Sequence, residues 1–114
     1  MVIERYTGDF DDGEAARERR KSERRRLREE ITDSPSPVLF ARLADLYLRD
    51  GRGPDAAHVC EEGLALFPSH GELYVILGEL LFNAKQTQLA RRHLLVAVRH
   101  DEYNYRALTL LAET

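Results

Sequence analysis

The 114-residue chain has one cysteine, no tryptophan, four prolines and seven glycines. A lone cysteine excludes an internal disulfide framework. So little proline and glycine excludes a linker or a low-complexity chain. No apolar run approaches the ~20 residues that cross a bilayer; the run Leu73 to Gly78 stops at Glu79. The opening Met1-Val2-Ile3-Glu4-Arg5 lacks the apolar stretch of a secretory leader. The expectation is a cytoplasmic protein of one domain's length, with a modest core drawn from 43% apolar residues. Of 17 basic residues 15 are arginine, a bias that points to a GC-rich, bacterial genome.

The net charge of −3 hides a strong polarity. Arg17, Arg19, Arg20, Lys21, Arg24, Arg25, Arg26 and Arg28 crowd into twelve residues with only Glu18 and Glu23 against them, giving +6 there and −9 elsewhere. Such asymmetry bears on partners and self-association.

The pattern divides the chain at Asp33-Ser34-Pro35-Ser36-Pro37, a helix-breaking cluster. Residues 1–33 form a charged extension: an irregular or extended arm, then a helix over 14–31 rich in helix formers. The helix has few apolar residues (Ala15, Ala16, Leu27, Ile31) and is expected to be solvated and frayed. Arg19–Glu23, Arg25–Glu29 and Arg26–Glu30 offer ion pairs at helical spacing. Residues 34–114 read as five helices. Phe40, Leu43, Ala44 and Tyr47 make the stripe of a core-facing helix that opens at Ser36-Pro37. Pro54 starts a second, and Pro68 closes it. Ser69 and Glu72 match a capping box for a third. The fourth starts at Thr87, and the fifth near Asn104.

Self-similarity is the strongest signal in the chain. At a step of 34 residues Phe40 meets Tyr74 and Leu108, Leu43 meets Leu77 and Leu111, and Ala44 meets Gly78 and Ala112. Tyr47 meets Leu81, Ala56 meets Ala90, Cys60 meets Leu94 and Gly63 meets Ala97. Small residues at matched places let antiparallel helices approach closely, and large ones fill the gaps between. This period and pattern resemble the tetratricopeptide repeat family over residues 37–114, as two full repeats and the first helix of a third. The second copy departs from the family at Glu102, where Pro68 stands in the first. The resemblance implies an all-α, right-handed solenoid of helix pairs.

It also implies that the first helix of each repeat lines a concave wall. The residues one step round from the core stripe are Val38, Ala41, Asp45 and Leu48, then Glu72, Val75, Glu79 and Phe82, then Arg106, Thr109 and Glu113. Asp45, Glu79 and Glu113 recur every 34 residues and would stack as a carboxylate line flanked by apolar groups. Such a groove suits a peptide or amphipathic helix of a partner protein that carries basic and apolar anchors. Some family members hold acidic chaperone tails through Lys and Asn on this wall. Ala41, Asp45, Val75 and Glu79 stand there instead and argue against that role.

Three readings are open for the basic segment: a solvated helix, a docking element for an acidic surface in cis or on another copy, or a nucleic-acid or anionic-membrane contact. The acidic line supports the second. The lack of interleaved aromatics, of a base-reading motif and of an apolar face argues against the third. No enzyme, metal or cofactor is expected. His58, His70, His93 and His100 lack metal-ligand spacing, Cys60 sits at a core position, and no phosphate loop or nucleophile motif occurs. The final helix offers only a partly polar outer side, Tyr105, Thr109 and Ala112. A following helix, a partner or a second copy would cover it.

Overall fold

A computed structural model describes residues 13–114. The expected N-terminal arm, residues 1–13, lies outside the described residues except for Gly13, the N-cap of the first helix. The described residues form six helices and no strand: α1 Glu14–Asp33, α2 Pro37–Arg49, α3 Gly53–Leu66, α4 Gly71–Asn83, α5 Thr87–His100 and α6 Tyr105–Ala112. Helices α2/α3 and α4/α5 are antiparallel hairpins. The second rests on the first through α3–α4 and α2–α4 contacts, and α6 closes against α4 and α5.

Local chemistry sets the boundaries. Pro37 and Pro54 open their helices, where a missing N–H costs nothing. The turns after α2 and α4 both use a left-handed residue, 34 positions apart: Gly51 at φ 74° and Lys85 at φ 67°. Glycine adopts that backbone freely, whereas a lysine there costs about 1–2 kcal/mol. Asn104 caps α6, its Oδ1 accepting from the Ala107 N–H at 2.9 Å. The expected Ser69–Glu72 capping box does not form: His70 is the N-cap of α4, without a side-chain bond. Glu72 instead turns to α6, accepting from Asn104 Nδ2 at 3.2 Å. The Ser36 and Thr87 hydroxyls do not cap either; Ser36 makes no capping bond, and Thr87 lies inside α5, after Gln86.

Two clusters make the core. Phe40, Leu43, Ala44, Val59, Cys60, Leu73 and Ile76 fill the first hairpin and its junction with the second. Val75, Leu94, Ala97 and Ala107 form the second cluster, under α6. Close approach needs the small residues. A Cβ on Gly63 would lie 2.9 Å from Phe40 Cβ, and one on Gly78 would lie 2.6 Å from Leu94 Cγ.

Helix α1 differs from its expectation as a solvated, frayed rod. Leu27 and Ile31 are buried and complete the first core cluster, and Ala16 and Arg24 are buried as well. The cluster Asp33 to Pro37 marks a turn across which the core continues. Helix α1 packs on α2 as α3 packs on α4, so it takes the place of a second helix from a preceding repeat. The sequence carries a trace of this at a step of 33: Leu27, Ile31 and Pro35 precede Cys60, Leu64 and Pro68. Of the helical ion pairs expected on α1, Arg26 chooses Glu23, at 3.2 Å, over Glu30.

Candidate functional site

Helices α2, α4 and α6 line one wall and bring four charged residues together. Val38, Glu72 and Arg106 occupy one repeat position, and Asp45, Glu79 and Glu113 another. Arg106 reaches back along the wall. Its Nε donates to Glu79 Oε1 at 2.8 Å, its Nη1 to Glu72 Oε2 at 3.3 Å, and its Nη2 lies 3.6 Å from Asp45 Oδ1. Arg106 Nη2 also bonds Glu79. Burial by itself would lower the Arg106 pKa. The hydrogen bond to Glu79, with the charges of Glu79, Asp45 and Glu72, outweighs it and raises the pKa above its ordinary value. Asp45 has a second partner, Arg49, at 3.0 Å.

The carboxylate line expected from the sequence is thus reshaped. Asp45 and Glu79 converge with Glu72 on one guanidinium, while Glu113 is the exposed C-cap of α6. The apolar flank is reshaped too. Val38 is 55% exposed, and Ala41, Leu48 and Phe82 are half-buried. Val75, expected on the wall, is fully buried: α6 covers it, and it packs with Leu94, Ala97 and Ala107. Asp45, Glu72 and Arg106 share a cleft of about 260 Å³ with Val38, Ala41, Arg42 and His70.

The basic segment lies elsewhere. Arg20 and Arg24 both bond Asp50, at the C-cap of α2. Arg28 bonds Glu62 of α3 through Nη2 at 2.9 Å. The segment therefore docks in cis, on Asp50 and Glu62 rather than on Asp45, Glu79 and Glu113. Arg17, Arg19, Lys21, Arg25 and Arg26 are exposed.

Sequence reasoning missed one further surface. A cleft of about 730 Å³ runs between α3 and α5 over α4, lined largely by Leu64, Leu77, Leu80, Leu81 and Leu89. Leu81 stands where the first repeat has Tyr47, and Ala57, Ala65 and Ala84 leave the space unfilled. Leu77, expected in the core, is half-buried at this edge. Cys60 is buried as its repeat position implies. Burial, with Glu61 and Glu72 nearby, pushes its thiol up to about 12, so it stays protonated.

No protein-family model and no curated protein sequence matches the chain. Solved structures do. The first tetratricopeptide domain of Spaghetti (RPAP3), bound to the HSP90 peptide SRMEEVD, superposes with a TM-score of 0.76 at 19% identity. That match covers 86% of this chain and 79% of that one. The Sgt2 tetratricopeptide domain from Aspergillus fumigatus gives 0.77 at 16% identity, over 87% and 68%. At such identities the likeness is one of architecture, and with the 34-residue register it establishes the fold of this chain as an all-α tetratricopeptide-repeat solenoid.

Proposed function

We propose that the chain is a non-catalytic adaptor that holds a peptide or amphipathic helix of a partner protein against the wall formed by α2, α4 and α6. The observation that carries this reading is the arginine site: Asp45, Glu72 and Glu79 converge on a single guanidinium beside exposed Val38 and half-buried Ala41. A wall that already seats one arginine side chain between carboxylates, next to an apolar floor, suits a ligand with basic and apolar anchors. The RPAP3 domain, of the same fold, is a structure with a bound peptide. That peptide, SRMEEVD, is acidic. The carboxylates here favour the opposite charge.

Screening a random peptide library displayed on phage tests the proposal. The wild type is compared with Val38→Asp/Asp45→Lys, after circular dichroism shows that both fold. Expected enrichment is for peptides with Arg or Lys spaced beside a large apolar residue, and the double variant should lose them by tenfold or more. Enrichment of acidic peptides, or equal capture by both proteins, overturns the assignment.

A further inference from the structure

The outer side of α1 and the start of α3 enclose a cleft of about 310 Å³ whose lining is Lys21, Arg24, Arg25, Arg28, Tyr47 and Arg52. Five cations converge on it, and no carboxylate lines it. The carboxylates stand behind. Asp50 holds Arg24 and the neighbouring Arg20, Glu62 holds Arg28 at 2.9 Å, and Asp55 holds Arg52 at 2.9 Å. Tyr47 fixes two of the guanidinium groups further: those of Arg24 and Arg52 lie 5.0 and 5.5 Å from its ring centre. Arg24 is only 9% exposed, so its position is set by packing as well as by charge. Lys21 and Arg25 make no ion pair with any described residue. Among the described residues, the five cations lining the cleft thus stand in front of three carboxylates, and none of the three enters it. A guanidinium has five N–H donors. Those of Arg24, Arg28 and Arg52 spend only some of theirs on the carboxylates behind.

We infer that this cleft binds a phosphate monoester dianion, either as free phosphate or on a phosphorylated side chain. Arginines held in place by carboxylates, with donors to spare, match the oxygens of a compact dianion without reorganising. The alternative polyanion is a nucleic acid, and two observations disfavour it. Tyr47 already has guanidinium groups against its ring and offers less of a face for a base to stack on. Beyond the cleft, the α1 surface interleaves Arg19 and Arg26 with Glu18, Glu23, Glu29 and Glu30, which breaks the track a backbone of many phosphates would follow. The cleft shares no residue with the proposed peptide wall, so the two assignments stand or fall separately.

The test is a titration followed by amide NMR shifts and calorimetry in chloride buffer. The probes are inorganic phosphate, a phosphoserine peptide and its unphosphorylated twin, and a 12-mer oligodeoxynucleotide. The proteins are the wild type, Lys21→Gln/Arg25→Gln, and the charge-matched control Arg91→Gln/Arg99→Gln on α5. Both pairs are exposed and make no ion pair among the described residues, so the fold should persist. Expected is saturable phosphate binding with shifts centred on residues 21–28 and 47–52, weakened tenfold or more by the first variant and unchanged in the control. A phosphopeptide that binds more tightly than free phosphate, with its twin silent, assigns the source to a modified partner; equal affinities assign it to free phosphate. The inference is overturned if the control weakens binding equally, if no saturable shifts appear at the cleft, or if the oligonucleotide outcompetes phosphate.

Discussion

The two repeats solve one packing problem with different volumes, and this gives a sharp prediction. The first repeat has Ala44 and Cys60 where the second has Gly78 and Leu94. A methyl group on Gly78 would lie 2.6 Å from both Cγ and Cδ2 of Leu94, well inside ordinary van der Waals contact, which begins near 3.4 Å. Leu94 has no accessible surface and cannot swing away as an exposed side chain could. Overpacking of this kind costs about 1–3 kcal/mol. Replacing a mid-helix glycine by alanine returns up to about 1 kcal/mol of helix propensity. The net expectation for Gly78→Ala is a loss of about 1–2 kcal/mol, seen as a drop of roughly 5–10 °C in melting temperature. Leu94→Cys alone opens a cavity and should cost about 2–3 kcal/mol. Together they recreate the Ala44/Cys60 pair, so Gly78→Ala should become stabilising in the Leu94→Cys background. The double-mutant cycle, measured by urea denaturation, should show a coupling of about 2 kcal/mol. Additivity within about 0.5 kcal/mol would refute the reasoning, and so would a wild-type background in which Gly78→Ala is neutral or stabilising.

Two further predictions concern α1 and the thiol. Asp50→Ala removes the carboxylate shared by Arg20 and Arg24, all three largely shielded from water. It should cost roughly 2–4 kcal/mol and lower hydrogen-exchange protection in residues 14–33 before it falls elsewhere; unchanged protection of α1 would show that the pair does not hold the helix. Cys60 is held up to about 12 in the folded state, against about 9.0 for an unperturbed thiol. The unfolded chain therefore loses this proton first. The thiol's contribution to stability is complete below pH 9 and declines between about pH 9 and 12, at up to ~1.4 kcal/mol per pH unit. Cys60→Ala should be less stable at pH 7 yet show a shallower fall from pH 9 to 10.5 in parallel denaturation series. Identical slopes would mean that the thiol is not the titrating group.

The repeat was legible because its signal lies in residue size at a fixed step, and size is what helix packing reads. Phe40, Leu43, Ala44, Ala56, Cys60, Ala90, Leu94 and Ala97 all stand in the core where that step puts them. Leu77 and Leu108 do not, for a reason no single helix reveals. Leu77 borders the open cleft between α3 and α5, and Leu108, on the last described helix, stays 46% exposed. Val75 errs the other way: it looked like a wall residue until α6 was laid over it. Helix α1 was misread because charge dominates its composition, whereas two residues, Leu27 and Ile31, determine its packing. Its match to the later repeats is out of step by one residue, so a search at 34 passes over it.

The charges were the least legible feature, because a formal count cannot tell a paired charge from an unpaired one. Read as a run, the eight cations of α1 looked like one rod facing one acidic line. In the fold they divide: Arg20, Arg24 and Arg28 pair across to α2 and α3, while Lys21 and Arg25 make no ion pair among the described residues. The acidic line divides as well, since Arg106 takes Asp45 and Glu79 and recruits Glu72, a wall residue that its spacing from Ser69 had also marked as part of a capping box. Each cluster is anchored by ions of the opposite sign from a neighbouring helix. The wall is left with carboxylates arranged around a guanidinium, and the cleft with guanidinium groups arranged in front of carboxylates. On the two proposals made above, a small solenoid of net charge −3 would in this way present two binding surfaces of opposite preference. Helix α1 is what keeps them apart, because docking on Asp50 and Glu62 holds its arginines off the wall.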